Sequence, residues 1–192
     1  MAKLYFRYGA MNCGKSSALM QVAHNYEENG KKVVVIKSSI DTKGGDSLES
    51  RIGLKRKVDI LINRDSSFKE HIGRLVEADC ILVDEAQFLT EKQVEDLWVI
   101  SKIQDIPVIC YGLKTDFQSY LFEGSKRLLE LADELDELIT ICKCGKRAKF
   151  NGRYINNVFQ TEGKEVLIDG SDATVEYRPM CGKCYIKEKY KK

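Results

Sequence analysis

Histidine, proline and tryptophan are scarce in this chain: among 192 residues there are two histidines, two prolines and one tryptophan. His24 and His71 both fall in helix-like segments and read as surface or packing residues, so an imidazole-centred active site has no good candidate. Internal repeats and low-complexity segments are absent, which excludes a solenoid or a linker-rich chain. No apolar stretch approaches the ~18 residues of a membrane span, and Met1-Ala2-Lys3 leads straight into an apolar strand where a signal peptide would need a longer lead. A cytosolic protein with no membrane partner is expected. Neither charge is in excess: 31 basic and 29 acidic residues leave a formal net charge of +2, too balanced to attract nucleic acid in bulk. The local exception, Lys183 to Lys192 with five lysines and one glutamate, reads as a solvated terminus.

What is present is more specific. Gly9-Ala10-Met11-Asn12-Cys13-Gly14-Lys15-Ser16 fits the phosphate-loop pattern G-x-x-x-x-G-K-[ST] at every defined position. The flanks agree, with a strand over Leu4 to Tyr8 and a helix over Ser16 to Glu28. The spacing has a physical basis. Gly9 and Gly14 allow backbone angles that turn consecutive N–H groups around a phosphate, and the helix behind them adds free amides and the positive end of its dipole. Lys15 supplies a mobile charge for the outer phosphates, and the Ser16 hydroxyl can ligate magnesium.

The rest of the chain supports an α/β architecture. A hydrophobic content of 43% is ample for a core. The runs Lys32 to Lys37, Cys80 to Val83 and Pro107 to Gly112 read as strands buried on both faces of a parallel sheet, and Lys55 to Ile62 as a further strand. Between them lie a loop at Asp41 to Asp46, a helix capped at Ser66 or Ser67 and running to about Ala78, with Glu70 completing a capping box, and a helix from Thr90 to Gln104. The apolar face of that last helix is Val94, Leu97, Trp98 and Ile100; another helix is expected from Gly124 to Leu135. Such alternation predicts a phosphate-loop type, mostly parallel sheet flanked by helices over residues 1–141.

Two further clusters carry chemistry. The strand ending at Val83 delivers Asp84-Glu85-Ala86-Gln87-Phe88, where Asp84 is placed to help hold magnesium and Glu85 to take a proton from water or a substrate hydroxyl attacking the γ-phosphate. Seven cysteines in a cytosolic setting are not expected to form disulfides. Cys13, Cys80 and Cys110 lie in the loop and strands, as small buried thiols do. Cys142-Lys143-Cys144 and Cys181-Gly182-Lys183-Cys184 supply four thiolates able to close a structural zinc site in a small unit over residues 142–192, with no open position for catalysis.

Taken together, the glycine loop, Asp84 to Phe88, Gly112-Leu113-Lys114-Thr115-Asp116-Phe117 and the two cysteine pairs with Tyr177 before the second resemble the thymidine kinases of the cytosolic, tetrameric type over nearly the whole chain. The resemblance implies transfer of the γ-phosphate of ATP to the 5′-hydroxyl of thymidine, with Glu85 as general base and magnesium on Ser16 and Asp84. It implies phosphate contacts from Gly9, Ala10, Met11, Asn12, Cys13, Gly14, Lys15 and Ser16, with Asp84 and Gln87. Met11, Phe88, Leu113, Phe117, Phe122, Val166, Ile168 and Tyr177 correspond to nucleoside-pocket residues. A lasso between the zinc-bound cysteine pairs, including Asn151 to Glu176, would close over thymidine and exclude water. A homotetramer follows from the same resemblance. This chain departs from the family at the C-x-C pair, where two intervening residues are usual, at Lys114, where an aspartate is common among bacterial relatives, and at Asn151, where a threonine contacts the base. Its lasso is longer around Asp169 to Thr174. Asp41-Thr42-Lys43 matches a family segment near the phosphates. Read from the residues alone, two alternatives stay open: a DNA-associated ATPase with a zinc ribbon, and a kinase for another nucleoside.

Overall fold

Val33-Val34-Val35-Ile36-Lys37-Ser38 is buried along its whole length, and a run apolar on both faces is stable only inside a sheet covered on both sides. The computed structural model places it there and describes residues 1–40, 45–164 and 174–191. In chain order the first half comprises β1 (Leu4–Tyr8), α1 (Lys15–Glu28), β2 (Val33–Ser38), β3 (Ser47–Glu49), β4 (Lys55–Lys57) and β5 (Ile60–Ile62). Then come α2 (Ile72–Leu75), β6 (Cys80–Asp84), α3 (Glu91–Ile103), β7 (Val108–Gly112), α4 (Glu123–Leu131) and β8 (Glu134–Glu137). The remainder carries β9 (Thr140–Ile141), β10 (Arg147–Ala148), β11 (Phe150–Ile155), β12 (Val158–Phe159), β13 (Val175–Met180) and α5 (Gly182–Lys189).

Six strands form one sheet in the order β5-β2-β6-β7-β1-β8, every pairing parallel. Its two faces make two cores. Leu19, Met20 and Ala23 of α1 pack with Val33, Val35, Leu82 and Tyr111 on one side. Val94, Leu97 and Ile100 of α3 and Leu128 of α4 pack with Phe6, Ile81 and Val83 on the other. A third cluster beyond the sheet joins Cys142, Ala148, Tyr154, Met180 and Tyr185 to Ala10 of the glycine loop. Here β11 runs between β12 and β13, both antiparallel to it.

Several local expectations change. The strand over Lys55 to Ile62 is two strands with different partners. Lys55–Lys57 forms a hairpin with β3, whereas Ile60–Ile62 joins the main sheet beside β2. Between them the Asp59 carboxylate accepts the Val35 N–H at 2.8 Å. The helix expected from Ser67 to Ala78 keeps its capping box, but Phe68–His71 is a tight 3-10 turn and only Ile72–Leu75 is α-helical. The helix expected from Gly124 to Leu135, α4, stops at Leu131, and Glu134-Leu135-Asp136-Glu137 becomes an edge strand on β1. Its helix-forming residues are overruled by the open edge they pair with. Trp98 is 37% exposed and lies off the buried stripe of α3. His24 is exposed and faces Glu28 at 3.2 Å.

Candidate functional site

Four parallel strands end on one side of the sheet, where ligands bind in such folds. β1 runs into the glycine loop, β2 ends at Lys37-Ser38, β6 at Asp84 and β7 at Gly112. Lys37 and Asp84 are register partners on β2 and β6. The cleft of about 190 Å³ at these ends is lined by Met11, Asn12, Lys15, Ser16, Asp84, Glu85 and Leu113, seven of the residues anticipated from sequence.

The two motif glycines serve different needs. Gly14 precedes α1 with φ +83°, a left-handed angle that side chains oppose. Gly9 does not need an unusual angle, contrary to expectation; a Cβ there would lie 2.5 Å from the Leu138 carbonyl oxygen and 2.6 Å from Cys13 Sγ. Asn12 also adopts a left-handed angle, φ 66°, so the loop interior curls back on itself. Lys15 is buried, its ammonium donating to the Ala10 carbonyl at 3.2 Å within the same loop.

The Ser16 hydroxyl donates to Asp84 Oδ2 at 3.0 Å. The other carboxylate oxygen, Oδ1, is buried with no hydrogen-bond partner among the described residues. Burial, then the neighbouring Glu85 charge, raises the Asp84 pKa to about 7 against the opposing pull of Ser16 and Lys15. An orphan buried oxygen beside a hydroxyl fits a divalent cation, whose charge would favour the carboxylate.

Glu85 adopts a left-handed backbone angle, φ 51°, uncommon for a side chain of its size. The Gln87 side-chain amide donates to the Glu85 carboxylate while its Oε1 accepts the Leu113 N–H at 3.0 Å. Both polar ends of Gln87 are thus engaged, one by Glu85 and the other by the end of β7. Gly112 makes this possible, because a Cβ there would lie 2.8 Å from Gln87 Oε1. Phe88 meets Phe122 edge to face at 5.8 Å, and Phe117 is buried beneath the Arg153 guanidinium. Tyr177 stands directly opposite Arg153 in the β11–β13 pairing, so the two share a face. None of these four aromatics lines the phosphate cleft itself. Val166, Ile168 and Asp41-Thr42-Lys43 lie outside the described residues.

Lys37, Leu48, Glu49 and Arg51 also line the cleft, and sequence reasoning missed all four. Lys37 carried a signal: a charge closing a fully apolar parallel strand sits where ligands bind. Arg51 follows a three-residue strand whose place only the β3–β4 hairpin decides.

At the far end Cys142, Cys144, Cys181 and Cys184 bring their sulfurs within 4.8 Å of one another, with Cys144 and Cys181 at 3.6 Å. A tetrahedral zinc with Zn–S bonds of about 2.3 Å needs sulfurs about 3.8 Å apart, so the donor set fits the metal. The C-x-C pair closes on a tight turn in which Gly145, φ +82°, donates to the Cys142 carbonyl at 2.8 Å. Cys181 caps α5, and Gly182 is its first helical residue. Although burial opposes it, amides from Cys144 and Cys181 lower the Cys142 pKa to about 7. The buried strand thiols differ: burial pushes Cys80 up to about 12.

The family model described as thymidine kinase matches residues 2–185. The chain belongs to the thymidine kinase family. Relatives named thymidine kinase include one from Streptococcus pyogenes serotype M3, 45% identical over 188 residues, covering 96% of this chain and 97% of the relative. Another from Lactococcus lactis is 44% identical over 190 residues, covering 97% and 98%. Among solved structures, a DNA replication initiation factor aligns with TM-score 0.46 and 18% identity, covering 72% of this chain and 40% of that one. The near-complete match in length and family leaves the DNA-associated ATPase alternative unfavoured. No helix among the described residues is long and apolar enough to cross a membrane.

Proposed function

We propose that this chain transfers the γ-phosphoryl group of ATP to the 5′-hydroxyl of thymidine. The observation that carries the reading is Glu85: a carboxylate held by Gln87, beside a buried Asp84 with a free oxygen, facing the glycine loop. Residues Gly9 to Ser16 hold the phosphates through their amides and Lys15, which leaves its Ala10 carbonyl for the incoming anion. Ser16 and Asp84 hold magnesium, which when bound neutralises charge on the outer phosphates. Glu85 accepts the proton of the 5′-hydroxyl as its oxygen attacks the γ-phosphorus and the bond from that phosphorus to the bridging oxygen breaks, releasing ADP. Gln87 positions Glu85.

Met11, Leu113, Phe88, Phe117, Phe122 and Tyr177, with Val166 and Ile168, form the nucleoside pocket. The supporting observations are that Leu113 and Met11 border the phosphate cleft and that Phe88 and Phe122 pack edge to face. Residues 142–192 act as a unit whose four cysteines hold structural zinc and anchor the segment over thymidine. The exposed apolar residues Val99 and Ile103 on α3, and Ile139 and Ile141 near β9, suit self-association as a homotetramer. Seven free cysteines suit a reducing cytoplasm.

The deciding experiment is label transfer from ATP to thymidine, deoxyuridine, deoxycytidine and deoxyguanosine, with and without DNA. Product on thymidine alone is expected. Product on a different nucleoside would reassign the substrate, and DNA-stimulated hydrolysis without nucleoside would replace the reading altogether.

A further inference from the structure

One strand outside the main sheet touches three walls of the proposed nucleoside pocket. On β11, Asn151 and Arg153 stand two residues apart and so point to the same face. Both are buried, at 3% and 1% exposure. Asn151 Oδ1 accepts the Met11 N–H at 2.8 Å, and its amide nitrogen reaches the Thr115 carbonyl at 3.5 Å. Arg153 lies flat on Phe117, its guanidinium carbon 3.4 Å from the ring centroid. The same guanidinium donates to the carbonyls of Lys164 at 2.6 Å and Glu162 at 3.0 Å, which lead into residues 165–173. At Gly163, between those carbonyls, a Cβ would lie 2.6 Å from the Arg153 nitrogen, so the chain wraps closely around it.

A buried guanidinium is costly to desolvate, and a fork that both stacks and donates twice fixes its neighbours' distances as no flexible apolar side chain does. We propose that Asn151 and Arg153 are positioning residues of the nucleoside site. Arg153 sets the spacing between Phe117 and the stem of the loop at 162–164. Asn151 sets the Met11 segment of the phosphate loop relative to the same strand. Neither side chain need touch the nucleoside; each acts through a wall it holds. Because Asn151 grips the phosphate loop and Arg153 does not, the two differ in which substrate they affect. The inference rests on the thymidine kinase reading of the site.

The test is steady-state kinetics of the full chain in both substrates, with zinc content and circular dichroism as checks on folding. Arg153→Met is expected to raise the thymidine KM about tenfold while kcat and the ATP KM stay within about threefold. Arg153→Lys, which keeps charge but not the fork, gives a smaller shift in the same direction and serves if the methionine variant fails to fold. Asn151→Ala raises both KM values. Arg153→Met and Phe117→Leu together raise the thymidine KM less than the product of their separate effects, because one acts through the other. A thymidine KM in Arg153→Met within about twofold of wild type, equal effects of the two variants on both substrates, or full additivity with Phe117→Leu would overturn the inference. Wild-type turnover separates the two levels. Product from wild type with no shift in the variants removes only the positioning roles, whereas no product on thymidine from wild type removes the functional reading and this inference with it.

Discussion

The phosphate cleft and the four-cysteine end are built on opposite plans. In the cleft, contiguous residues at the tips of parallel strands do the positioning, and buried elements on both faces of a six-stranded sheet hold those tips. At the cysteine end, strands of two to six residues and a small aromatic cluster around Tyr185 enclose four sulfurs drawn from two ends of a segment. The first region has a core large enough to stand without a metal. The second is enclosed by a small apolar cluster, and with zinc on its four cysteines, as proposed, its loops would depend on that crosslink. The cleft is therefore vulnerable to changes of a single polar group, and the cysteine end, under the proposed zinc site, to loss of its metal. The two are not independent, since Tyr185 donates to the Phe117 carbonyl at 2.6 Å and Asn151 holds Met11.

The sharpest way to isolate the cleft is Glu85→Gln. It is expected to lower turnover roughly 10²–10⁴-fold while ATP binding persists, because the amide cannot take the hydroxyl proton. Equilibrium binding of a fluorescent ATP analogue beside steady-state kcat checks this, and unchanged turnover would remove Glu85 as the base.

Zinc removal probes the other side of the comparison. Stripping the metal with a strong chelator, or Cys144→Ser, is expected to raise the thymidine KM about tenfold or more before the ATP KM moves, through loss of the anchor for residues 145–180. Metal analysis of freshly purified protein must find about one zinc per chain. Finding none would dispose of the clasp.

Gly112→Ala tests how finely the cleft is set. Its Cβ would meet Gln87 Oε1 at 2.8 Å and the Gln87 amide at 3.1 Å, displacing the side chain that holds Glu85. A fall in kcat of about tenfold with unchanged zinc content is expected, along with about 1–3 kcal/mol of lost stability by thermal melting. Normal kcat would show that Gln87 does not orient Glu85.

The smallest effect concerns the sheet's rim. Arg56 forks onto Glu27 at 2.7 and 2.8 Å, tying the β3–β4 hairpin to α1, and this hydrogen bonding holds the Glu27 carboxyl below its ordinary 4.5. A carboxyl depressed by folding contributes stability above its unfolded pKa and loses it as pH falls through the folded value. The contribution, below about 1 kcal/mol for so exposed a pair, should disappear below pH 4.5 and be absent in Arg56→Gln at neutral pH. Parallel denaturation curves of wild type and variant that fail to converge on acidification would argue against the pair.

Legibility followed the same division. The glycine loop, Asp84-Glu85 and buried strands such as Val33 to Ile36 were readable because their chemistry depends on neighbours in sequence: an amide curl, a strand end, a doubly buried face. Glu134-Leu135 was misread as the end of a helix because an edge strand takes its identity from the β1 edge it meets. Lys55 to Ile62 was misread as one strand because its division depends on two separate partners. Arg153, buried on Phe117, has no local pattern to announce it.

What the amino-acid order by itself determined is therefore the reaction machinery in outline: a phosphate loop, an acidic pair at a strand end and four thiolates able to hold a metal, together with the family resemblance they carry. Only the tertiary structure decided that Gly9 is required by close approach instead of backbone angle, that the Gln87 side chain holds the Glu85 carboxylate, and that Lys37 and Arg51 border the cleft. The physical reason is range. Backbone conformation and strand burial are encoded within a few residues, whereas the orientation of a buried polar side chain depends on donors and acceptors that only folding brings within hydrogen-bond distance.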